Sequence, residues 1–137
     1  IYGEVLLKLK RKKSIIVTGG NGMDEINING INKILTPGGN ISTFLASSIG
    51  IINQDERQLN GGDALYNASR IKNIFSGTND AFYEIVLLNS AFALSLNDVE
   101  TLTPDMIREK YLIAKQIVDS GQAMNKLNQL IDYTQGI

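Results

Sequence analysis

Ser14-Ile15-Ile16-Val17-Thr18-Gly19-Gly20-Asn21-Gly22-Met23-Asp24-Glu25-Ile26 is the stretch on which the fold turns. Its opening residues, Ser14 to Val17, form a short run dominated by β-branched side chains, which fits a buried strand. Gly19 to Gly22 then breaks that run, because glycine and asparagine tolerate the positive φ of tight turns. Upstream, Val5, Leu6 and Leu9 fall on one side at helical spacing and predict a helix over Ile1 to Lys10. Helix, apolar strand and glycine-rich loop, in that order, are the grammar of an α/β sheet. In such sheets ligands lie beyond the carboxyl ends of the strands.

Downstream of the loop, Ile26, Ile28 and Ile34 alternate with Asn and Lys, and Pro37-Gly38-Gly39-Asn40 is a turn signal, so short strands are expected between residues 26 and 48. From Asp63 onward the pattern is helical. Asp63 can cap a helix whose packing face carries Leu65, Ala68, Ile71, Ile74 and Phe75, with Gly77 as its stop. A second helix starts at Thr78 or Asn79 and runs through Ala81 to Leu96; being apolar nearly all round, it is the expected central helix. Thr103-Pro104 opens a third, since proline in the first turn forfeits no hydrogen bond. A fourth follows, with Met124, Leu127, Leu130 and Ile131 on its packing side. The expected fold class is α/β, with a partial parallel or mixed sheet followed by a mainly helical C-terminal half. The richness in Asn and Ile has no mechanism visible at this level.

Composition narrows the chemistry. The chain has 137 residues, 43% hydrophobic and 20% charged, enough apolar surface to fold as one domain or a large piece of one. It contains neither cysteine nor histidine, which excludes disulfides, thiolate or imidazole metal ligands and a Ser-His triad. Any catalysis must rest on carboxylates, backbone amides, lysine, arginine or a bound metal. A net charge of −1 gives no general attraction to nucleic acid or anionic membranes. The one basic run, Lys8, Lys10, Arg11, Lys12 and Lys13, reads first as a solvated helix end that complements the helix dipole, and only second as a phosphate or nucleic-acid contact. The most apolar stretch, Ile85 to Leu96, is interrupted by Asn89 and Ser90 and is too short to span a bilayer, so a cytoplasmic address is expected.

Asp24 and Glu25 are the strongest chemical feature. In a regular strand adjacent side chains would point to opposite faces; in an irregular loop both can turn toward one cation. Magnesium takes hard oxygen ligands and is commonly held by one or two carboxylates together with water and substrate phosphates. The competing reading is an Asx turn at Asp24 with Glu25 simply solvated. Residue chemistry leaves both open. Gly61-Gly62-Asp63 offers a similar choice between backbone amides facing an anion and an ordinary capped helix start, and the Asp cap favours the latter. The Gly19 to Gly22 run lacks the full glycine fingerprint of a dinucleotide loop.

Several blocks together resemble the anthranilate phosphoribosyltransferases, members of the nucleoside phosphorylase and phosphoribosyltransferase fold. Val17 to Ile26 resembles that family's strand followed by His-Gly-x-Asp-Gly-Leu-Asp-Glu. Leu59-Asn60-Gly61-Gly62-Asp63-Ala64-Leu65-Tyr66-Asn67-Ala68 matches its Leu-x-Gly-Gly-Asp-x-x-x-Asn-Ala segment. Phe75-Ser76-Gly77 followed by Val86 to Leu94 is similar to its Leu-x-Gly and Val-Leu-Leu-Asn-Ala-Ala-x-Ala-Leu helix. Val118-Asp119-Ser120-Gly121-Gln122-Ala123, with Leu127 and Leu130, is similar to its closing segment. Thr18 stands where the family commonly has His, and Asn21 where it often has Asp.

The resemblance implies a glycosyltransferase of tryptophan biosynthesis that joins anthranilate to 5-phosphoribosyl 1-diphosphate and releases pyrophosphate. It implies Mg2+ as cofactor, held by Asp24 and Glu25, and no catalytic residue within this chain. Residues 1–137 are then expected to be the C-terminal part of the α/β domain. The N-terminal helical domain, the Gly-Thr-Gly-Gly-Asp diphosphate loop and most anthranilate-binding residues are expected upstream, with a homodimer in the complete enzyme. Alone, the chain is expected to be inert, and its sheet edge around Ser14 to Val17 to favour self-association. The alternative is a non-enzymatic paralogue or decayed gene product acting as a binding module, with nucleic acid as its concrete but less expected ligand.

Overall fold

A computed structural model describes residues 1–36, 41–52 and 55–136, apart from the side chain of residue 101. Helix α1 (Tyr2–Lys8) leads into strand β1 (Ile16–Thr18), a single 3-10 turn at Gly20–Gly22, and strands β2 (Asn32–Leu35) and β3 (Ile41–Phe44). Short 3-10 segments at Ala46–Ile49 and Glu56–Leu59 follow, then helices α2 (Ala64–Phe75), α3 (Ala81–Leu94), α4 (Pro104–Asp119) and α5 (Gln122–Gln135). The α/β class and the helical second half are as the sequence predicts. The sheet differs. Its order is β1-β2-β3 and both pairings are antiparallel, Val17 opposite Ile34 and Lys33 opposite Thr43, where a parallel or mixed sheet was expected. A parallel return needs a crossover, usually helical; here residues 19–31 contain only the 3-10 turn, so the chain doubles back. The predicted Pro37 to Asn40 turn lies outside the described residues.

Helix α3 organises the core. Ile85, Leu88, Ala91 and Phe92 pack with Ile26, Ile28, Ile34 and Phe44 on the sheet side, and Phe92 meets Phe44 edge-on at 5.1 Å. Tyr83 and Leu87 face the other way and join Ile74, Ala114 and Val118 from α2 and α4. A helix pressed from both sides must be apolar all round, which is the pattern read in its sequence. Thr103 caps α4, its hydroxyl accepting from the Met106 N–H at 3.3 Å, with Pro104 in the first turn.

The outer helices depart from expectation. Their periodicity is right, but their apolar sides are not buried among the described residues. α1 and α5 contain no buried residue, and α2 buries only Ile74. Leu65 on the predicted face of α2 is 83% exposed and Leu9 63%. β1 likewise occupies a sheet edge and is only half-buried rather than enclosed. Among the described residues no helix is long and apolar enough to cross a membrane.

Candidate functional site

Local folding of the glycine loop decides where Asp24 and Glu25 point. The Gly19 N–H donates to the Met23 carbonyl at 2.8 Å, closing the loop on itself. A side chain at Gly19 would run into the Glu25 carbonyl oxygen, and one at Gly20 would sit 2.5 Å from the Asn29 carbonyl. These glycines are therefore required for close backbone packing, not for cradling a nucleotide. Asn21 takes φ +60, a region that asparagine tolerates better than most residues. Met23 packs against the core and Ile26 is fully buried. Only two residues lie between those anchors, and both are exposed.

Asparagine side chains hold the loop from behind. Asn27 and Asn32 are fully buried. The Asn32 Oδ1 accepts from the N–H groups of Asn27 at 2.7 Å and Gly20 at 3.1 Å, while its Nδ2 donates to the carbonyls of Asn27 at 2.9 Å and Phe44 at 3.2 Å. Asn27 Nδ2 donates to the Gly20 carbonyl and to Glu56 Oε1, each at 3.0 Å. From α3, Asn89 takes hold of the residue after Glu25. Its Oδ1 accepts from the Ile26 N–H at 2.9 Å, and its Nδ2 donates to the carbonyls of Ile26 and Ile85, each at 2.9 Å. Buried backbone groups need partners, and in this strandless stretch amide side chains supply them. That accounts for Asn27, Asn32 and Asn89.

Asp24 and Glu25 themselves lie in a bend, exposed, and their side chains make no hydrogen bond or ion pair with the described residues. The Asx turn expected as the competing reading at Asp24 forms instead at Asn27, whose Oδ1 accepts from the Asn29 N–H at 3.1 Å. The described residues contain no cluster of three or more carboxylates able to enclose a metal. The donor set is thus two free hard-oxygen groups on a fixed backbone. It fits magnesium, which leaves most positions to water and phosphate, and it does not fit a metal that needs an all-protein cage.

The other predicted features resolve in structural terms. At Gly61-Gly62-Asp63 the Asp63 carboxylate accepts from the Tyr66 N–H at 2.8 Å, and Asn67 grips the Gly62 peptide at 2.9 Å and 3.0 Å. No free amide at Gly62 faces an anion; this is a capped helix start. In the basic run, Lys13 Nζ donates to Asn97 Oδ1 at 2.7 Å, and the Lys10 and Arg11 N–H groups close the end of α1. Thr18 is exposed at the end of β1. Asn21 Nδ2 reaches Glu56 at 3.3 Å and 3.4 Å, a contact that Asp at this position would turn into repulsion between carboxylates.

A second polar group ties α3 to α4. The Tyr83 hydroxyl donates to Asp119 Oδ1 at 2.6 Å, and Lys115 Nζ donates to Tyr83 and to Asp119 Oδ2, both at 2.9 Å. The hydroxyl of Tyr83, then Lys115, holds the Asp119 carboxyl below its usual range. Burial, then the 2.6 Å bond to Glu84, pushes the Tyr111 hydroxyl well above its ordinary value. Lys115 is raised by its bonds to Tyr83 and Asp119. All these groups have partners within the seam.

Residues 1–124 match the family described as glycosyl transferase family, a/b domain. The anthranilate phosphoribosyltransferase of Geobacter sp. (strain M21) is 34% identical over 134 residues, covering 96% of this chain and 37% of that protein. The one from Acetivibrio thermocellus is 32% identical over 137 residues, covering 98% and 39%. The chain thus spans well under half the length of these relatives. In fold it is similar to anthranilate phosphoribosyltransferase from Thermus thermophilus, with a TM-score of 0.81 at 19% identity over 97% of this chain and 39% of that one. The enzyme from Saccharomyces cerevisiae, in a structure with PRPP and Mg, gives 0.82 at 19% identity over 99% and 39%.

Proposed function

The chain belongs to the glycosyl transferase family, a/b domain, and from that premise we propose that it forms the magnesium-binding part of an anthranilate phosphoribosyltransferase. The reaction is transfer of phosphoribose from 5-phosphoribosyl 1-diphosphate to anthranilate with release of pyrophosphate, a step of tryptophan biosynthesis. The observation that carries this reading is the Asp24-Glu25 pair, exposed and without a bond to the described residues, between the anchored residues Met23 and Ile26. Asp24 and Glu25 would hold Mg2+ through their carboxylate oxygens, with water and diphosphate oxygens completing the shell. When bound, the ion neutralises charge on the departing pyrophosphate.

The chain's own residues position and orient. The glycine loop brings the pair close to the sheet, Asn32 and Asn27 fix that loop's backbone, and the core excludes water from its rear face. With no histidine or cysteine in the sequence, the chain offers no imidazole or thiol for proton transfer. Alone, it would bind metal and diphosphate without turning over anthranilate. A cytoplasmic homodimer is the assembly expected of the complete enzyme.

Titration of the chain with Mg2+ plus inorganic pyrophosphate tests the reading. Binding is expected to fall by about tenfold or more in Asp24→Asn and Glu25→Gln, since each removes one of few anionic ligands. Equal binding in wild type and both variants would sink the assignment. Adding an N-terminal fragment of a relative and following loss of anthranilate fluorescence then asks whether the chain completes an active site.

A further inference from the structure

We infer that Asn89 is a positioning residue for the Asp24-Glu25 carboxylates, an assignment that rests on the magnesium reading above. It sits half-buried near the middle of α3, next to the fully buried Leu88 and two residues before the buried Ala91. Its amide faces the peptide groups of the loop, accepting from the Ile26 N–H and donating to the Ile26 carbonyl at 2.9 Å each. Two bonds of opposite sense on the same residue fix the backbone on both sides of the Ile26 α-carbon, as a neighbouring strand would. The third bond, to the Ile85 carbonyl one turn back at 2.9 Å, locks the amide so that it cannot swing away.

The geometry matters because Glu25 precedes Ile26 directly, and the peptide joining them contains the N–H that Asn89 holds. Glu25 thereby inherits its backbone orientation from the helix. On the other side of the pair, the Gly19 N–H holds the Met23 carbonyl, the acceptor of the peptide that leads into Asp24. The two carboxylates therefore hang from a segment restrained at both ends while their own atoms stay free of partners among the described residues. Side chains that orient the metal's ligands without touching the ion commonly tune its affinity. Asn67 makes the same bidentate grip on the Gly62 peptide at 2.9 Å and 3.0 Å. It is a matched control, since it holds a helix start that carries neither carboxylate.

The test is a titration with Mn2+ as paramagnetic stand-in, read by broadening of the backbone amide signals of residues 22–27. Asn89→Ala is expected to keep the fold and weaken Mn2+ binding about tenfold, with broadening spread over more residues as the loop samples several poses. Asn67→Ala is expected to bind as wild type does. Should Asn89→Ala fail to fold, Asn89→Ser serves instead. Its hydroxyl can bond back to the Ile85 carbonyl and spare the helix, yet is too short to hold Ile26. Wild-type Mn2+ affinity in a folded Asn89 variant, alongside weakened binding in Asp24→Asn, overturns the role of Asn89 and leaves the magnesium reading intact. Unchanged binding in Asp24→Asn as well overturns that reading and this inference with it. Equal weakening in Asn67→Ala and Asn89→Ala would reduce the effect to general destabilisation and also overturn the inference.

Discussion

Asn32 shows how much one side chain can carry. It is fully buried on β2 and satisfies four backbone groups, the N–H of Gly20 and Asn27 and the carbonyls of Asn27 and Phe44. Truncation to alanine would strand all four in the interior, where an unpaired polar group costs about 1 to 3 kcal/mol. Because the loop can relax toward water, the expected loss for Asn32→Ala is about 3 to 5 kcal/mol rather than the full sum. The urea midpoint of unfolding measures it. A loss below about 1 kcal/mol would mean that water replaces the amide without penalty. Exposed Asn73, in the outer half of α2, is expected to tolerate the same change with little effect.

At the scale of elements, the seam between α3 and α4 should set the pH limits of stability. The Asp119 carboxyl is depressed in the folded protein, so its contribution is present above the unfolded carboxylate range and is lost as pH falls through the folded value. Lys115 and Tyr111 are raised, so theirs is present below their unfolded values and fades as pH climbs toward the folded ones. The seam is thus fully engaged between about pH 4 and pH 10, the unfolded limits of its acid and bases. Asp119→Asn is expected to flatten the acid side of a plot of urea midpoint against pH and to weaken the alkaline side in part, since Lys115 loses one partner that raises it while Tyr111 keeps its bond to Glu84. An unchanged acid limb would assign acid sensitivity to other carboxylates.

Elements also show what could be read in advance. Asp63, Thr103 and Pro104 announced their helices because capping is local, a matter of one side chain and an N–H three residues on. The all-round apolar character of α3 was legible for the same reason. Strand pairing was not legible, since it depends on a connection whose direction no single residue encodes. At the site, the carboxylate pair stood out by chemistry, but its supports did not. Glu56 lies 29 positions from Asn27 and Asn89 lies 63 from Ile26, separations that periodicity cannot bridge. One signal was available, an asparagine inside the most apolar helix, because a polar group in such a place must have found a partner.

Taken whole, the molecule carries apolar surface that its own described residues do not cover. Ile1, Tyr2, Leu7 and Leu9 on and beside α1 are exposed, as are Leu65 and Ile71 on α2 and Ile41 on β3, while β1 and β3 are both edge strands. Open strand edges and apolar side chains of this kind promote association between chains. Sedimentation velocity on the isolated chain is expected to show a weight-average mass that rises with concentration, and Thr18→Lys, at the exposed end of the edge strand β1, to reduce it. A monodisperse monomer at every concentration would contradict this.

Because Asn89 grips the Ile26 N–H from the most enclosed helix, that proton is shielded although the preceding residues, Asp24 and Glu25, face solvent. Its replacement by deuterium should therefore proceed at the pace of the slowest protons in α3, not at the pace of surface turns. The surface loop and the deepest helix would open as a single cooperative unit, so that loosening either one costs the other.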